Sequence, residues 1–182
     1  MRAEANGPET VLEKFRIPLL LATAILGLDQ GTKLAIRRSM SLGDQVTVFE
    51  GLLNIVHARN PGAAFSFLAT APDWFREPFF IVVTVIAILT ILIVMARSTP
   101  EEGVTRLALG GILGGAVGNL LDRLMHGEVI DFVDVYWHTH HWPAFNVADS
   151  AISLSVAAIL AHTLLTGREQ SAGETRSDAS QP

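Results

Sequence analysis

The segment GNLLDRLMHGEVIDFVDVYWHTHHWPAFNVADS, residues 118–150, lies between two apolar runs that are long enough, or nearly so, to cross a membrane. It places five carboxylates close to hydrocarbon: Asp122, Glu128, Asp131, Asp134 and Asp149. Ionisable groups at membrane depth are costly, and those that are present there are usually functional. We therefore expect this segment to carry the chemistry of the chain.

The composition is that of a membrane protein. The 182 residues are 49% hydrophobic and only 17% charged, whereas a soluble domain carries about 25% charged residues. The net charge of −5 gives no basic signature for nucleic-acid binding. The chain has no cysteine, which excludes disulfides, thiolate metal sites and a cysteine nucleophile.

Four apolar segments predict an all-α integral membrane fold with four transmembrane helices, at about residues 17–36, 78–96, 107–124 and 150–166. Between the first two, residues 46–49 and 52–56 are rich in apolar and β-branched side chains around Glu50-Gly51, which indicates a short hairpin. We expect one membrane domain over residues 1–168 and a disordered polar tail over residues 169–182.

The third helix carries glycines at a spacing of four, Gly110, Gly114 and Gly118. In lipid, such a stripe favours the close approach of a neighbouring helix. The alternative is that these glycines only lower helix stability.

Asp131 and Asp149 are the candidate catalytic pair. Two carboxyl groups that share one proton can hydrolyse a peptide bond without a nucleophilic side chain. The ionised partner takes a proton from water, and the protonated partner donates to the carbonyl oxygen. Asp131 stands between Val129-Ile130 and Phe132-Val133, an apolar setting that raises the pKa of an acid.

Local sequence leaves other interpretations open. Asp149 or Ser150 could simply cap the fourth helix. Asp131 and Asp134 could be solvated acids of a polar loop. The whole chain could be a proton-coupled transporter, although its acids lie at helix ends rather than midway along a span, or a structural membrane protein.

Two further helical pairs accompany the acids. Asn119 and Arg123 are four residues apart and share a helix face, where they could hold backbone carbonyls or a lipid head group. The alternative is an interfacial pair between Asp122 and Arg123. Asp29 and Lys33 have the spacing of a helical ion pair, either a helix-end pair or a support for the site.

The histidines of residues 138–141 do not form a metal-binding pattern. No His-Glu-x-x-His is present, and no acid at helical spacing completes a site. We predict no metal site.

Five short motifs carry a family resemblance. They are Asp29-Gln30-x-x-Lys33, Asn60-Pro61-Gly62-Ala63-Ala64-Phe65-Ser66, Gly114-Gly115-Ala116-x-Gly118-Asn119-x-x-Asp122-Arg123, Val129-Ile130-Asp131-Phe132 and Phe145-Asn146-x-Ala148-Asp149. Together, and in this order, they resemble those of bacterial lipoprotein signal peptidase, also called signal peptidase II.

The resemblance implies a membrane aspartic endopeptidase that cuts signal peptides from prolipoproteins, just before the lipid-modified cysteine. It implies residue roles as follows: catalytic Asp131 and Asp149; substrate-binding Asn60, Gly62, Asn119, Arg123 and Asn146; supporting Asp29, Lys33 and Asp122.

The resemblance also implies partners and a location. The partners are a prolipoprotein with a diacylglyceryl cysteine, membrane lipid and globomycin-type inhibitors, and no metal or organic cofactor is implied. The location is the bacterial inner membrane, with cytoplasmic termini and the site near the extracytoplasmic face. Residues 39–76 would form a small extracytoplasmic β-cradle and lid.

Overall fold

A computed structural model describes residues 10–62, 67–68, 70–99 and 102–178, without the side chains of Val11 and residues 167–178. The helices are α1 (Val11–Ser39), α2 (Asp73–Arg97), α3 (Gly103–His126) and α4 (Val147–Asp178). The strands are β1 (Gln45–Phe49), β2 (Leu53–Asn60), β3 (Val129–Trp137) and β4 (His140–His141).

The predicted fold class is confirmed. In the part of the chain that the structure describes, four helical segments are long and apolar enough to cross a membrane. They are Leu12–Ser39, Asp73–Arg97, Gly103–His126 and Val147–Thr166. A small antiparallel sheet lies in the connections between them.

The sheet has the strand order β1-β2-β3-β4, with all neighbours antiparallel. The predicted hairpin is β1 and β2. Residues 129–137, for which no strand was predicted, form β3, and this strand brings Asp131 opposite Ala58 on β2. Alternating β-branched and aromatic residues in this stretch are typical of a strand, so the alternative of a solvated loop acid is wrong for Asp131, which is 3% exposed.

Helix α3 is the centre of the bundle and contacts the other three helices. Its glycines make this possible, because a Cβ on Gly114 would lie 2.6 Å from the carbonyl oxygen of Ala22 on α1. A Cβ on Gly115 would lie 2.5 Å from the carbonyl oxygen of Ala148 on α4. The glycine-rich face therefore brings both neighbouring helices within backbone contact of α3, as the packing interpretation predicted.

The helix boundaries differ from the predicted ones. Helix α1 begins at Val11 because Thr10 and Glu13 form a capping box. Helix α2 begins at Asp73, which as an acid in the first turn is favourable at a helix N-terminus. Helix α3 runs to His126 and ends at Gly127, whose φ of 74° is readily adopted only by glycine.

Helix α4 continues to Asp178, past the predicted helix end at residue 166 and into the segment for which a polar tail is predicted. Residues 167–178 contain no proline, the residue that breaks a helix interior most strongly. The remaining tail residues, 179–182, and part of the expected cradle-and-lid segment, residues 63–66 and 69, lie outside the described residues.

Candidate active site

The two candidate catalytic acids meet at Asn146. Asp131 lies on β3, and Asp149 lies in the first turn of α4. The side-chain amide of Asn146 donates to Oδ1 of Asp131 at 2.8 Å. The backbone N–H of Asn146 donates to Oδ2 of Asp149 at 3.3 Å, and the N–H of Asp149 donates to Oδ1 of Asn146 at 2.9 Å. Both carboxyl groups therefore contact the same residue.

This contact also corrects the helix-cap alternative. The reciprocal bonds between Asn146 and Asp149 have the form of a capping box with Asn146 as the cap. Asp149 is its partner three residues on, and Ser150 donates its hydroxyl to the Asn146 carbonyl oxygen. Neither Asp149 nor Ser150 is therefore the cap, and Oδ1 of Asp149 is available to other groups.

Two more asparagines complete the hydrogen bonds to the acids. Nδ2 of Asn119, on α3, donates to Oδ1 of Asp149 at 2.8 Å. Nδ2 of Asn60, at the end of β2, donates to Oδ2 of Asp131 at 3.1 Å. Each carboxyl group thus accepts hydrogen bonds on both oxygens, which fixes its position.

Asp131 is an unusually weak acid in this setting. Burial, and then the negative charge of Asp149, raise the pKa of Asp131 from its usual 3.8 to about 7. Hydrogen bonds from Asn60 and Asn146, and the charge of Lys33, act in the opposite direction but do not cancel this effect. The apolar setting predicted from the flanking residues therefore has its expected effect on this acid.

A buried ion cluster lies next to the pair. Nζ of Lys33, 1% exposed, lies 2.8 Å from carboxylate oxygens of both Asp29 and Asp122 and donates to Oδ1 of Asn119 at 3.0 Å. Asp29 also accepts the N–H of Ala148, which would otherwise be unpaired in the first turn of α4. The cluster therefore joins α1, α3 and α4 directly behind the acids.

Arg123 faces the site from α3. It donates through Nη2 to the Gly62 carbonyl oxygen at 3.1 Å, and its guanidinium lies 4.9 Å from the ring centroid of Phe80. Its Nε is buried and has no hydrogen-bond partner among the described residues. The N–H of Gly62 in turn donates to Oδ1 of Asn60, so Arg123 also holds the loop that carries Asn60. The alternative pair of Arg123 with Asp122 does not form, because Asp122 is bound to Lys33 and to the N–H of Ile130.

A cavity of about 660 Å³ adjoins these groups. Its polar lining includes Asn60, Gly62, Asn119, Arg123 and Asp149, and residues 142–145 form another part of its wall. Asp131 is buried behind this lining and is joined to the cavity through Asn60. A substrate in the cavity would therefore meet Asp149 directly.

All ten predicted site residues fall into one contiguous group. Sequence reasoning missed the wall at residues 142–145 and the ring of Phe80 beneath Arg123. Proximity to Asn146 was a usable signal for the wall, whereas nothing in the sequence pairs Phe80 with Arg123.

The histidine segment packs against residues of β3. Nδ1 of His141 lies 2.9 Å from Oδ1 of Asp134, and the His138 ring packs edge-on against Trp137. Among the residues that the structure describes, no group of three His, Cys, Asp or Glu side chains is arranged to hold a metal ion.

Comparison with known proteins gives consistent matches. A family model described as signal peptidase (SPase) II matches residues 21–165. The lipoprotein signal peptidase of Geobacter metallireducens is 45% identical over 157 residues, covering 86% of this chain and 96% of that relative. That of Geobacter sulfurreducens is 48% identical over 145 residues, covering 80% and 89%.

Solved structures agree with these sequence matches. A bacterial membrane enzyme determined by the in meso method at 2.3 Å resolution matches with a TM-score of 0.73 and 31% identity, covering 81% of this chain and 87% of that one. A second, at 1.9 Å resolution, matches with a TM-score of 0.71 and 30% identity, covering 81% and 92%.

Proposed function

Because this chain belongs to the signal peptidase II family, and is thus a multi-pass membrane peptidase of the type that removes signal peptides from prolipoproteins, we propose that Asp131 and Asp149 are its catalytic acids. The observation that carries the proposal is the contact of both carboxyl groups with Asn146 beside a cavity. In this proposal the enzyme is an aspartic endopeptidase that cuts on the N-terminal side of the diacylglyceryl cysteine.

The two acids have different roles. We assign the shared proton to Asp131, because burial and the charge of Asp149 raise its pKa to about 7. Asp149 lines the cavity, so as the ionised partner it takes a proton from a water molecule there. That water attacks the scissile carbonyl carbon, and Asp131 donates its proton to the carbonyl oxygen. The resulting tetrahedral intermediate then breaks its C–N bond, and the amine leaves with a proton from the pair.

The asparagines keep the acids in place during this exchange. Asn119 and Asn146 donate to Asp149, while Asn60 and Asn146 donate to Asp131. Preorganised donors need no rearrangement as charge moves between the two groups, which lowers the barrier to reaction.

Arg123, Gly62 and Asn60 bind the substrate backbone. Within the described part of the chain the buried Nε of Arg123 has no hydrogen-bond partner, and a buried polar atom is normally hydrogen-bonded in a completed site. A carbonyl group of the bound prolipoprotein supplies the missing acceptor. Globomycin-type inhibitors occupy the same cavity and compete with the substrate.

The lipid-modified cysteine fixes the orientation of the enzyme. Its acyl chains stay in the bilayer, so the scissile bond lies near a membrane surface. The sheet and the ends of α1 and α3 form one end of the bundle, and the acids lie there. We place this end at the extracytoplasmic face of the inner membrane, with the termini in the cytoplasm.

The test is a reconstitution assay. The purified protein in lipid is given a prolipoprotein that carries a diacylglyceryl cysteine, and release of the signal peptide is followed by gel electrophoresis and mass spectrometry. Asp131→Asn and Asp149→Asn should each lower kcat by about 10²- to 10⁴-fold, because each removes one proton-transfer group.

The control is Glu128→Gln, which alters a partly exposed acid paired with Arg59 at 3.8 Å and should process substrate normally. If either aspartate variant retains near-normal turnover, the assignment of the pair is wrong. If the unmodified protein cuts at another bond, the proposed cleavage position is wrong.

A further inference from the structure

Residues 142–145, which we call the cavity arch, form four consecutive positions of the cavity wall. The end of the arch nearer the acids is fixed by the backbone. The backbone N–H of Phe145 donates to the Val133 carbonyl oxygen at 3.0 Å, and the N–H of Val133 donates to the Phe145 carbonyl oxygen at 2.8 Å. The next residue is Asn146, which contacts both acids. The arch therefore stands beside the reacting groups.

The other end of the arch depends on β4, which is only two residues long. Such a short strand contributes little stability through its own ladder. The N–H of Trp142 donates to the Val135 carbonyl oxygen at 2.8 Å, and the side chain of His141, the residue before it, contacts Asp134.

Residues of three strands, β2, β3 and β4, take part in the contacts of His141. Nδ1 of His141 lies 2.9 and 3.0 Å from the two carboxylate oxygens of Asp134, a buried residue of β3. Asn54 on β2 donates to the same carboxylate at 2.8 Å and so fixes its orientation. The ring of Tyr136 stacks on the imidazole, with centroids 5.1 Å apart and planes 11° apart.

Tyr136 extends this arrangement to the first hairpin. Its hydroxyl oxygen accepts the N–H of Gly51 at 2.8 Å, in the turn between β1 and β2. The imidazole is therefore held by a carboxylate from one side and by an anchored ring from another. A half-exposed surface histidine usually has fewer fixed contacts than this. The contacts of His141 lie at the residue just before the cavity arch.

We propose that His141 is a positioning residue for substrate binding: through Asp134 it holds the cavity arch in place, and the arch sets how well the prolipoprotein fits beside the acids. This rests on the proposed function, since the cavity is taken as the substrate site. His141 does not contact the reacting atoms. Its loss should weaken binding and leave proton transfer intact, because Asn146 keeps its own bonds to both acids.

The experiment combines kinetics with hydrogen–deuterium exchange on the full-length protein in lipid. His141→Ala should raise KM by about tenfold and change kcat by less than about twofold, since a lost charge-assisted hydrogen bond has an effect of that size. His141→Asn places an amide where Nδ1 stood and should restore most of the KM. The matched control is His140→Ala, the exposed neighbour on β4, which should leave both constants unchanged.

The exchange measurement tests the structural step by itself. His141→Ala should speed exchange of the Trp142 amide, and His140→Ala should not. Unchanged exchange in His141→Ala overturns the proposal, as does faster exchange with an unchanged KM, or a loss in kcat instead of KM. If the unmodified protein does not process prolipoprotein, the proposed function is wrong, and so is the role of the arch in substrate binding. The exchange data would still show whether His141 holds the arch in place.

Discussion

The carboxyl of Asp131 sets the expected pH response of the reaction. Its pKa is raised to about 7 by burial and by the charge of Asp149, and the proposed mechanism needs its proton. We therefore expect kcat to fall as pH rises through about 7, by about tenfold per pH unit beyond it. The measurement is kcat for prolipoprotein processing between about pH 5 and about pH 9.

The control is Glu128→Gln, which should show the same alkaline fall as the unmodified protein. A kcat that stays constant to about pH 9 would mean that the required proton is held elsewhere than on Asp131.

Lys33 is expected to be essential for stability. It is the cation between the buried carboxylates of Asp29 and Asp122, both at 2.8 Å. Lys33→Met leaves two negative charges buried together, so we expect the free energy of unfolding to fall by about 3–5 kcal/mol. The measurement is unfolding in mixed detergent micelles, followed by circular dichroism.

Two comparisons make the Lys33 test specific. Arg38→Met, an exposed change on the same helix, should stay within about 0.5 kcal/mol of the unmodified protein. The triple variant Asp29→Asn, Lys33→Met, Asp122→Asn should recover part of the loss, because no buried charge remains uncompensated. A small effect of Lys33→Met alone would contradict the structural role of the cluster.

Single residues were predictable where their chemistry is local, and less so where it depends on distant partners. The spacing of Asp29 and Lys33 predicts their pair, but Asp122 joins it only after α1 and α3 pack. Asn146 illustrates the same limit. The local sequence allowed Asp149 or Ser150 as the cap of α4, and only the backbone positions show that Asn146 takes this place and so contacts both acids.

At the level of elements, the contact between α1 and α3 depends on the absence of a side chain. A Cβ at Gly114 would lie 2.6 Å from the Ala22 carbonyl oxygen and 2.9 Å from its Cα, and neither backbone atom can move without shifting α1. We expect Gly114→Ala to destabilise the protein by about 1–3 kcal/mol, the usual cost of overpacking. The same detergent unfolding assay measures this change.

The matched control is Gly27→Ala on α1, where a Cβ would meet nothing within 4 Å. Alanine is the better helix former, so this variant should be neutral or slightly more stable. If Gly114→Ala and Gly27→Ala behave alike, close helix packing is not what the glycine stripe provides.

Elements were predicted from sequence with uneven success, for physical reasons. The long apolar runs made the four helices clear, and the first hairpin followed from its β-branched residues. Strand β3 was missed because its acids, Asp131 and Asp134, look like loop residues until β2 provides Asn60 and Asn54 as their partners. A strand that buries charge depends on tertiary contacts that local propensity does not contain.

At the scale of the whole molecule, the helix bundle has two chemically different ends. Lys14, near the start of α1, donates to the Ser98 carbonyl oxygen in the connection between α2 and α3, so these segments lie at one end. The sheet joins the opposite ends of the helices and holds the acids. Composition predicted the membrane class, but the basic residues are nearly balanced between the two ends, so sequence gives only modest support for one orientation.

The orientation is testable because the chain has no cysteine of its own. Glu50→Cys places a thiol in the exposed turn of the first hairpin, and Thr99→Cys places one in the connection between α2 and α3. The proposed orientation places the hairpin end outside, so an impermeant maleimide added to intact spheroplasts should label Glu50→Cys and spare Thr99→Cys. Permeabilised cells should label both, which controls for accessibility. Labelling of Thr99→Cys alone in intact spheroplasts would put the acids on the cytoplasmic face and contradict the proposed site of processing.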